Sequence, residues 1–226
     1  RREKSNNKFM SLTNPTEETI AAIASAVSPG EGAIAIIKIS GSKAQAISRG
    51  ILQIRGNQKW ESHRVLYGHV LDKNKVNQID EVLVLVMEAP RSFTGEDVVE
   101  IHCHGGLVSV ERVLELILCN PGIRRALPGE FSQRAVLNGR LNLTQAEAIN
   151  DLIAARSKKA AQIAISGVNG AIQNKIKFIQ ERLLDQLSEI EARVDFEDEL
   201  PLLNELSIKN ELIQIKLELN TLIKDS

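Results

Sequence analysis

Apolar and polar positions alternate with two periods in this chain, and the change between them falls near residue 138. Ala33 to Ile39, AIAIIKI, is a nearly continuous apolar run broken only by Lys38, which predicts a buried strand. The turn residues Ser28 to Gly32 precede it, and a helix is expected from Ser42 to about Leu52. Val65 to Leu71 and Ile79 to Glu88 read as paired strands joined by the polar hairpin loop DKNKVNQ. Val98 to His104 alternates, with Val99, Ile101 and Cys103 on one side and Glu100, His102 and His104 on the other. Leu107 to Cys119 is an amphipathic helix stopped by Asn120-Pro121-Gly122. This mixture predicts an α+β domain.

Beyond that point only the helical period remains. Pro128 to Asn138 is a short helix, with Pro at its start and Gly139 just past its end. Thr144-Gln-Ala-Glu147 reads as a capping box opening the next helix. From Ile165 to Val194 apolar residues recur every three or four positions, which predicts one long helix with one buried stripe, ended by Glu197 to Pro201. Ile208, Leu212, Ile215, Leu219 and Leu222 repeat the pattern in a second long helix. Two long helices and a short one make a thin bundle, and partner helices are expected from outside the chain. The fold class is therefore an α+β N-terminal domain followed by an all-α helical-bundle domain, with boundaries at residues 14–138 and 139–226. Residues 1–13 are read as a disordered or appended extension, with Met10 a candidate natural start.

Composition narrows the function classes. The 226 residues are 43% hydrophobic but only 3% aromatic, so the core is aliphatic and a base-stacking platform for single-stranded nucleic acid is disfavoured. A formal net charge of −1 argues against a broadly basic nucleic-acid face. Cys103 and Cys119 make neither a metal spacing nor a disulfide framework, which points to a reducing, cytoplasmic location. No run of membrane length and no signal peptide is found, so no membrane association is expected.

The densest polar chemistry lies in PRSFTGEDVVEIHCHGG, Pro90 to Gly106. Thr94 to Asp97 is a turn able to bond its own backbone, and Gly105-Gly106 permits a tight turn or close approach to a bound group. The polar strand face that ends there looks like the rim of a binding site. Glu100, His102 and His104 could hold a metal. All three would come from one strand with no supporting partner legible, so no metal is assigned. Lys38, Glu100 and Arg140 form a second, more diffuse set: two cations and a carboxylate suit a ligand with an acidic end and a donor-rich ring. On spacing alone the plainer reading of each cation, a solvated or snorkelling side chain, prevails. No Gly-Lys pair exists, hence no phosphate-binding loop of the Gly-Lys-Ser/Thr type, and neither His-Glu-x-x-His nor Gly-x-Ser-x-Gly occurs.

GAIAIIKISG, SFTGEDVVEIHCHGG, RRALPGEFSQRAVLNGRLNLTQAEAINDLI and VDFEDE occur in this order, and together they resemble the N-terminal part of the bacterial tRNA-modification GTPase family MnmE, also called TrmE. The resemblance covers the chain after about Ile20, and the Pro-Gly-Glu-Phe and Gln-Ala-Glu-Ala segments are its most specific parts. It implies a tetrahydrofolate-binding, aminomethyltransferase-like domain that forms a homodimer, then a helical domain into which a GTPase domain is inserted. It further implies GTP, Mg2+ and K+ sites in the parts beyond Ser226, and a flavoprotein partner, MnmG (GidA), in a heterotetramer. The implied reaction installs a 5-carboxymethylaminomethyl or aminomethyl group on the wobble uridine of tRNA, using a 5-formyl- or 5,10-methylene-tetrahydrofolate. The family's folate-contacting positions in this part match Lys38, Glu100 and Arg140. A fourth contact and a reactive cysteine, both in a C-terminal Cys-x-Gly-Lys motif, have no counterpart here, so no catalytic residue is assigned to this chain and GTP hydrolysis by it alone is not expected. The alternatives are a stand-alone folate-dependent one-carbon transferase, with Asp97 or His104 as its acid or base, and a non-catalytic dimerisation scaffold.

Overall fold

The computed structural model describes residues 18–27, 32–196, 201 and 203–225. The turn expected at 28–32, the extension at 1–13 and the helix stop at 197–201 therefore lie largely outside the described residues. Contacts divide the chain into two units between Leu143 and Thr144.

The first unit is built on β2, Ile34–Ser40, and β6, Val98–His104. Their apolar positions point to one side, where Ala35, Ile37, Ile39, Val99, Ile101 and Cys103 are buried. Two helices cover that side: α1, Ala44–Ile51, through Ala44, Ile47 and Ile51, and α2, Leu107–Leu118, through Val110, Val113, Leu114 and Ile117. Burying this many branched aliphatics drives the fold without aromatic bulk. The hairpin expected between residues 65 and 88 is present as β4, Arg64–Leu71, and β5, Gln78–Met87. Three strands escape the sequence reading: β1, Thr19–Ile23, β3, Leu52–Ile54, and β7, Ile123–Arg125. Two of them span three residues, too short to display a period, and β1 carries two alanines. The seven strands run in the order β3-β4-β5-β6-β2-β1-β7, antiparallel except where β7 lies parallel to β1. β2 and β6 are thus interior, and β2 shares seven register positions with β6.

A charged network lies at the end of this sheet. Helix α3, Glu130–Leu137, carries Arg134, which is 2% exposed. Its Nη1 donates to both carboxylate oxygens of Glu96 at 3.1 Å, and Nη2 donates to the Glu18 carbonyl at 2.6 Å. Ser40 Oγ donates to Glu96 Oε2 at 2.7 Å and lies 2.7 Å from Thr94 Oγ1. With Ser40's single proton on Glu96, Thr94 is the donor in the second bond. Beside this, Arg124 holds Glu130 in a two-pronged pair at 2.5 and 2.9 Å and reaches Glu18 at 2.8 Å. That pairing holds the Glu130 carboxyl below its ordinary range, with the Arg124 hydrogen bond as the largest cause.

The second unit is helical, as expected, but the limits of its helices differ from those read from the pattern. Helix α4 spans Leu143–Ala154, so Thr144 stands inside the first turn and not at the cap. Asn142 immediately precedes the helix, and asparagine is as well suited to that position. The single long helix expected from Ile165 is two: α5, Lys158–Val168, capped by Ser157 Oγ accepting from Ala160 N, and α6, Ala171–Asp195. Gly170 separates them at φ 74°, a left-handed conformation that ends the first helix before the second begins. The apolar stripe is also not buried along its length. Within α6 only Ile179 is buried, while Ile172, Ile176, Leu183, Leu187 and Val194 remain exposed. Helix α7, Glu205–Asp225, follows the predicted pattern and is clasped to α6 by Arg182, which donates to Glu211 at 2.6 Å and Glu218 at 2.9 Å. No helix among the described residues is long and apolar enough to cross a membrane.

The buried network generates a stability prediction. Arg134→Ala strips a dehydrated carboxylate of its cation and is expected to cost about 3–5 kcal/mol in urea unfolding followed by circular dichroism. A cost under about 1 kcal/mol would mean that Glu96 is solvated and that the network carries little.

Candidate functional site

Strand register decides what meets on the sheet face away from α1 and α2. Lys38 lies directly opposite Glu100 across the β2–β6 ladder. Residues opposed in this way have side chains on the same face and close together. Lys38 Nζ lies 3.1 Å from Glu100 Oε1, with the two side chains 19% and 18% exposed. An ion pair this enclosed is screened far less than one at the surface.

Two aromatic rings limit the lysine. Its ammonium is 5.2 Å from the ring centre of Phe93 and 5.7 Å from that of Phe131, within the range for cation–π attraction. Phe93 sits in the loop between β5 and β6, and Phe131 in the first turn of α3. Both are held by the charged network: Thr94 and Glu96 follow Phe93 in the loop, and Arg134 lies one turn along from Phe131. Asn138 Nδ2 adds a bond to the Thr94 carbonyl at 2.8 Å.

Arg140 is placed differently. Gly139 and Arg140 close the end of α3 through backbone bonds to Val136 and Ala135. The exposed Arg140 side chain then donates from Nε to the Ser92 carbonyl at 2.9 Å, next to Phe93. The structure thus joins Lys38 and Glu100 directly and attaches Arg140 to the loop that carries the ring over Lys38.

The Glu100, His102, His104 face is divided. His102 Nε2 lies 3.6 Å from Glu100 Oε2, beyond hydrogen-bond length. His104 bonds instead to Asp80 of β5, Nδ1 to Oδ1 at 2.6 Å. Asp80 is buried, and its Oδ2 accepts also from His104 N at 2.9 Å and Ser109 Oγ at 3.2 Å. The hydrogen bond His104 donates to Asp80, and then the Asp80 charge, raise the His104 pKa above its ordinary 6.5. No group of three or more His, Cys, Asp or Glu among the described residues is placed to hold a metal ion. Asp97 is an anchor, accepting from Ala89 N at 2.9 Å and Gln45 Nε2 at 3.1 Å. Cys103 belongs to the core, and burial pushes its thiol up to about 12. Gly105 does approach something closely, but it is backbone: a Cβ there would collide with the Gly32 carbonyl, while Gly105 N donates to Ala33 O at 3.0 Å.

Phe93, Phe131, Asp80 and Arg134 are not singled out by the sequence reading. The two phenylalanines carry a usable signal, since they are two of only five in the chain, Phe131 in the Pro-Gly-Glu-Phe segment and Phe93 in the polar stretch from Pro90 to Gly106.

Comparison with known proteins spans both units. Residues 19–140 match the TrmE_N family, described as GTP-binding protein TrmE N-terminus, and residues 143–226 match the MnmE helical domain. A curated protein of Prochlorococcus marinus named tRNA modification GTPase MnmE is 62% identical over 217 residues, 96% of this chain and 48% of that protein. A protein of the same name from Synechococcus sp. (strain WH7803) is 61% identical over 216 residues, 96% of this chain and 47% of its own length. The chain belongs to the MnmE (TrmE) family. It spans about half the length of the curated relatives it matches.

The Asp80–His104 pair yields a titration prediction. The raised pKa means that the pair's stabilisation is fully present below the ordinary histidine value and is lost as pH rises through the folded-state pKa. Side-chain NMR should place the His104 midpoint above 6.5, and Asp80→Asn should return it to the ordinary range. A midpoint unchanged by Asp80→Asn would contradict the assigned partner.

Proposed function

We propose that this chain is the folate-binding and dimerising portion of a tRNA-modification GTPase. In this reading the complete protein acts with the flavoprotein MnmG (GidA) to form the 5-carboxymethylaminomethyl or aminomethyl group on the wobble uridine of tRNA. GTP, Mg2+ and K+ are bound by parts outside this chain, which hydrolyses no GTP alone. The chain's contribution is to hold a 5-formyl- or 5,10-methylene-tetrahydrofolate that supplies the one-carbon unit.

The observation that carries the reading is the Lys38–Glu100 pair, enclosed by Phe93 and Phe131 on the sheet face opposite the core. A pterin ring presents an exocyclic amine beside a ring N–H, and a carboxylate accepts both in charge-assisted bonds. Glu100 is fitted for that because Lys38 forms an ion pair with one oxygen and leaves lone pairs free on both. Charge type alone groups Lys38 with Arg140 as partners for an anionic glutamate tail. The 3.1 Å contact gives Lys38 a different part in the proposal: it holds and aims Glu100. Arg140, exposed at the loop edge, is the cation left for the tail. When bound, the folate supplies the one-carbon group, and the residues of this chain bind and orient it.

Dimerisation is supported by the same sheet face. Val65 and Leu83, 60% and 47% exposed, and the more enclosed Tyr67 stand together on β4 and β5, an apolar surface continuous with the site through Leu85, which is paired with Glu100.

Two measurements check these proposals. Calorimetry with 5-formyl-tetrahydrofolate should show Glu100→Ala losing about 2–4 kcal/mol, about a hundredfold in affinity, because ring donors are left without partners. Glu100→Gln should fall between, and Arg140→Ala should lose only about 1 kcal/mol with a weaker salt dependence. Unaltered binding by Glu100→Ala would remove Glu100 from the site. In sedimentation velocity at micromolar concentration the chain should run as a dimer and Leu83→Asp as a monomer; a parent chain that is itself monomeric would refute the interface.

A further inference from the structure

One short segment away from the Glu100 site concentrates positive charge. Residues 49–64 hold Arg49, Arg55, Lys59 and Arg64 against one carboxylate, Glu61, a surplus of three positive charges in a chain whose formal net charge is −1. All four cations are exposed. They stand at the end of the sheet, where β3 pairs with β4 on one side and, among the described residues, with no strand on the other. Edge strands often carry a charge that blocks pairing with another chain. That does not account for this group, because β3 itself reads Leu-Gln-Ile and the cations lie before and after it.

The segment is held in one shape. Gln58 lies along β4 as an extra rung: its Nε2 donates to the Tyr67 carbonyl at 2.9 Å, and its Oε1 accepts from Tyr67 N at 2.8 Å. The same Nε2 donates to the Arg55 carbonyl at 2.6 Å, which closes the loop on itself. Arg49, in the last turn of α1, lies over the Trp60 ring at 4.5 Å from its centre, and Trp60 packs against the core. Cations from α1, the loop and the start of β4 are thereby fixed along one edge. Asn57, Gln58, Lys59 and Arg64 line a cleft of about 310 Å3 there. Glu61 neutralises only part of the group. It pairs with Arg64 at 2.8 Å and lies 3.8 Å from Lys59, while neither Arg49 nor Arg55 has a carboxylate partner among the described residues.

A fixed row of cations with amides between them matches a phosphate backbone, because Arg, Lys, Asn and Gln are side chains that bond phosphate oxygens. An acidic protein would also need an apolar centre to bury, and Val65 alone gives the cleft exposed apolar surface. Paired RNA is met mainly through its phosphates and 2′-hydroxyls, which calls for no base-reading groups. We infer that the edge formed by Arg49, Arg55, Lys59 and Arg64 binds the phosphate backbone of a folded RNA without reading its sequence. This rests on the reading that the complete protein acts on tRNA. Neighbouring strands lie about 4.8 Å apart, so β3 is three spacings, about 14 Å, from β6, and RNA held at this edge lies beside the face that carries Glu100.

The test is fluorescence anisotropy of a labelled, unmodified tRNA transcript with the 226-residue chain across a salt series. Arg55→Ala/Lys59→Ala is expected to weaken binding about tenfold or more at low salt. It should also flatten the slope of log affinity against log salt by about 1.5, since each lost phosphate contact removes about 0.7–0.9. Arg55→Lys/Lys59→Arg keeps the charge and should stay within about twofold of the parent. Lys73→Ala/Lys75→Ala, which removes two exposed cations of the β4–β5 loop, should stay within about twofold as well. Far-UV circular dichroism of each variant should superpose on that of the parent, so that lost binding reports lost contacts. Unlabelled polyglutamate of equal charge should compete poorly; competition as strong as that of RNA would overturn the choice of partner. Unchanged affinity and slope in Arg55→Ala/Lys59→Ala would overturn the surface, and the transcript would then be bound elsewhere on the chain. A parent chain that binds no transcript also overturns the inference. The tRNA reading itself falls only if the complete protein, with its flavoprotein partner, leaves the wobble uridine of the transcript unmodified.

Discussion

The first unit depends on a guanidinium buried where three segments meet. Arg134 draws together the backbone at Glu18, the loop at Glu96 and its own helix α3, and its contacts to the first two join residues far apart in sequence. A cation at 2% exposure is tolerable only because carboxylates neutralise it and hydrogen bonds replace its water. The same requirement fixes the shape of the site. Loop 92–97 cannot move independently of α3 without uncovering that charge, so Phe93 and Phe131 stay within reach of the Lys38 ammonium and Arg140 stays beside Ser92.

The site consequently combines a rigid floor with a clamped rim. Its floor is an interior strand pair in which register alone brings an ammonium and a carboxylate to 3.1 Å. Its rim comes from the loop and helix that the network holds. Orienting charge on a strand pair costs little motion when a ligand arrives, which favours affinity through preorganisation. His102 and His104, two positions apart, show how far neighbours settle chemistry: one has Asp80 as partner and a raised pKa, while the other lies near a carboxylate that it does not bond.

Much of this is legible in the residues. The alternation of β6 identifies the polar face, the apolar run of β2 identifies a buried strand, and charge type allows Lys38, Glu100 and Arg140 to be grouped, although spacing alone favours solvated cations and it is the family resemblance that singles out the three. What cannot be read is what depends on register and distance. Nothing in the sequence says that β2 lies beside β6, so charge pairs Lys38 with Arg140 where geometry pairs it with Glu100. Arg134 occurs in a helix of ordinary amphipathic appearance, and its burial follows only from Glu96 and Glu18, 38 and 116 positions away. In the helical unit the periodic stripe passes through Gly170 unbroken, because period reports which residues are apolar and not where the backbone reverses its handedness. The stripe also predicts burial that the described helices do not supply. Periodicity marks a face as apolar and does not say what covers it.

The central claim is that the Lys38–Glu100 pair is the floor of a folate site. A crystal structure of the chain soaked with 5-formyl-tetrahydrofolate tests it most directly. The pteridine edge is predicted to lie against the Glu100 carboxylate, with the ring between Phe93 and Phe131 and Lys38 still paired with Oε1. Density for the ligand on another surface, with Glu100 contacting only Lys38, would contradict it.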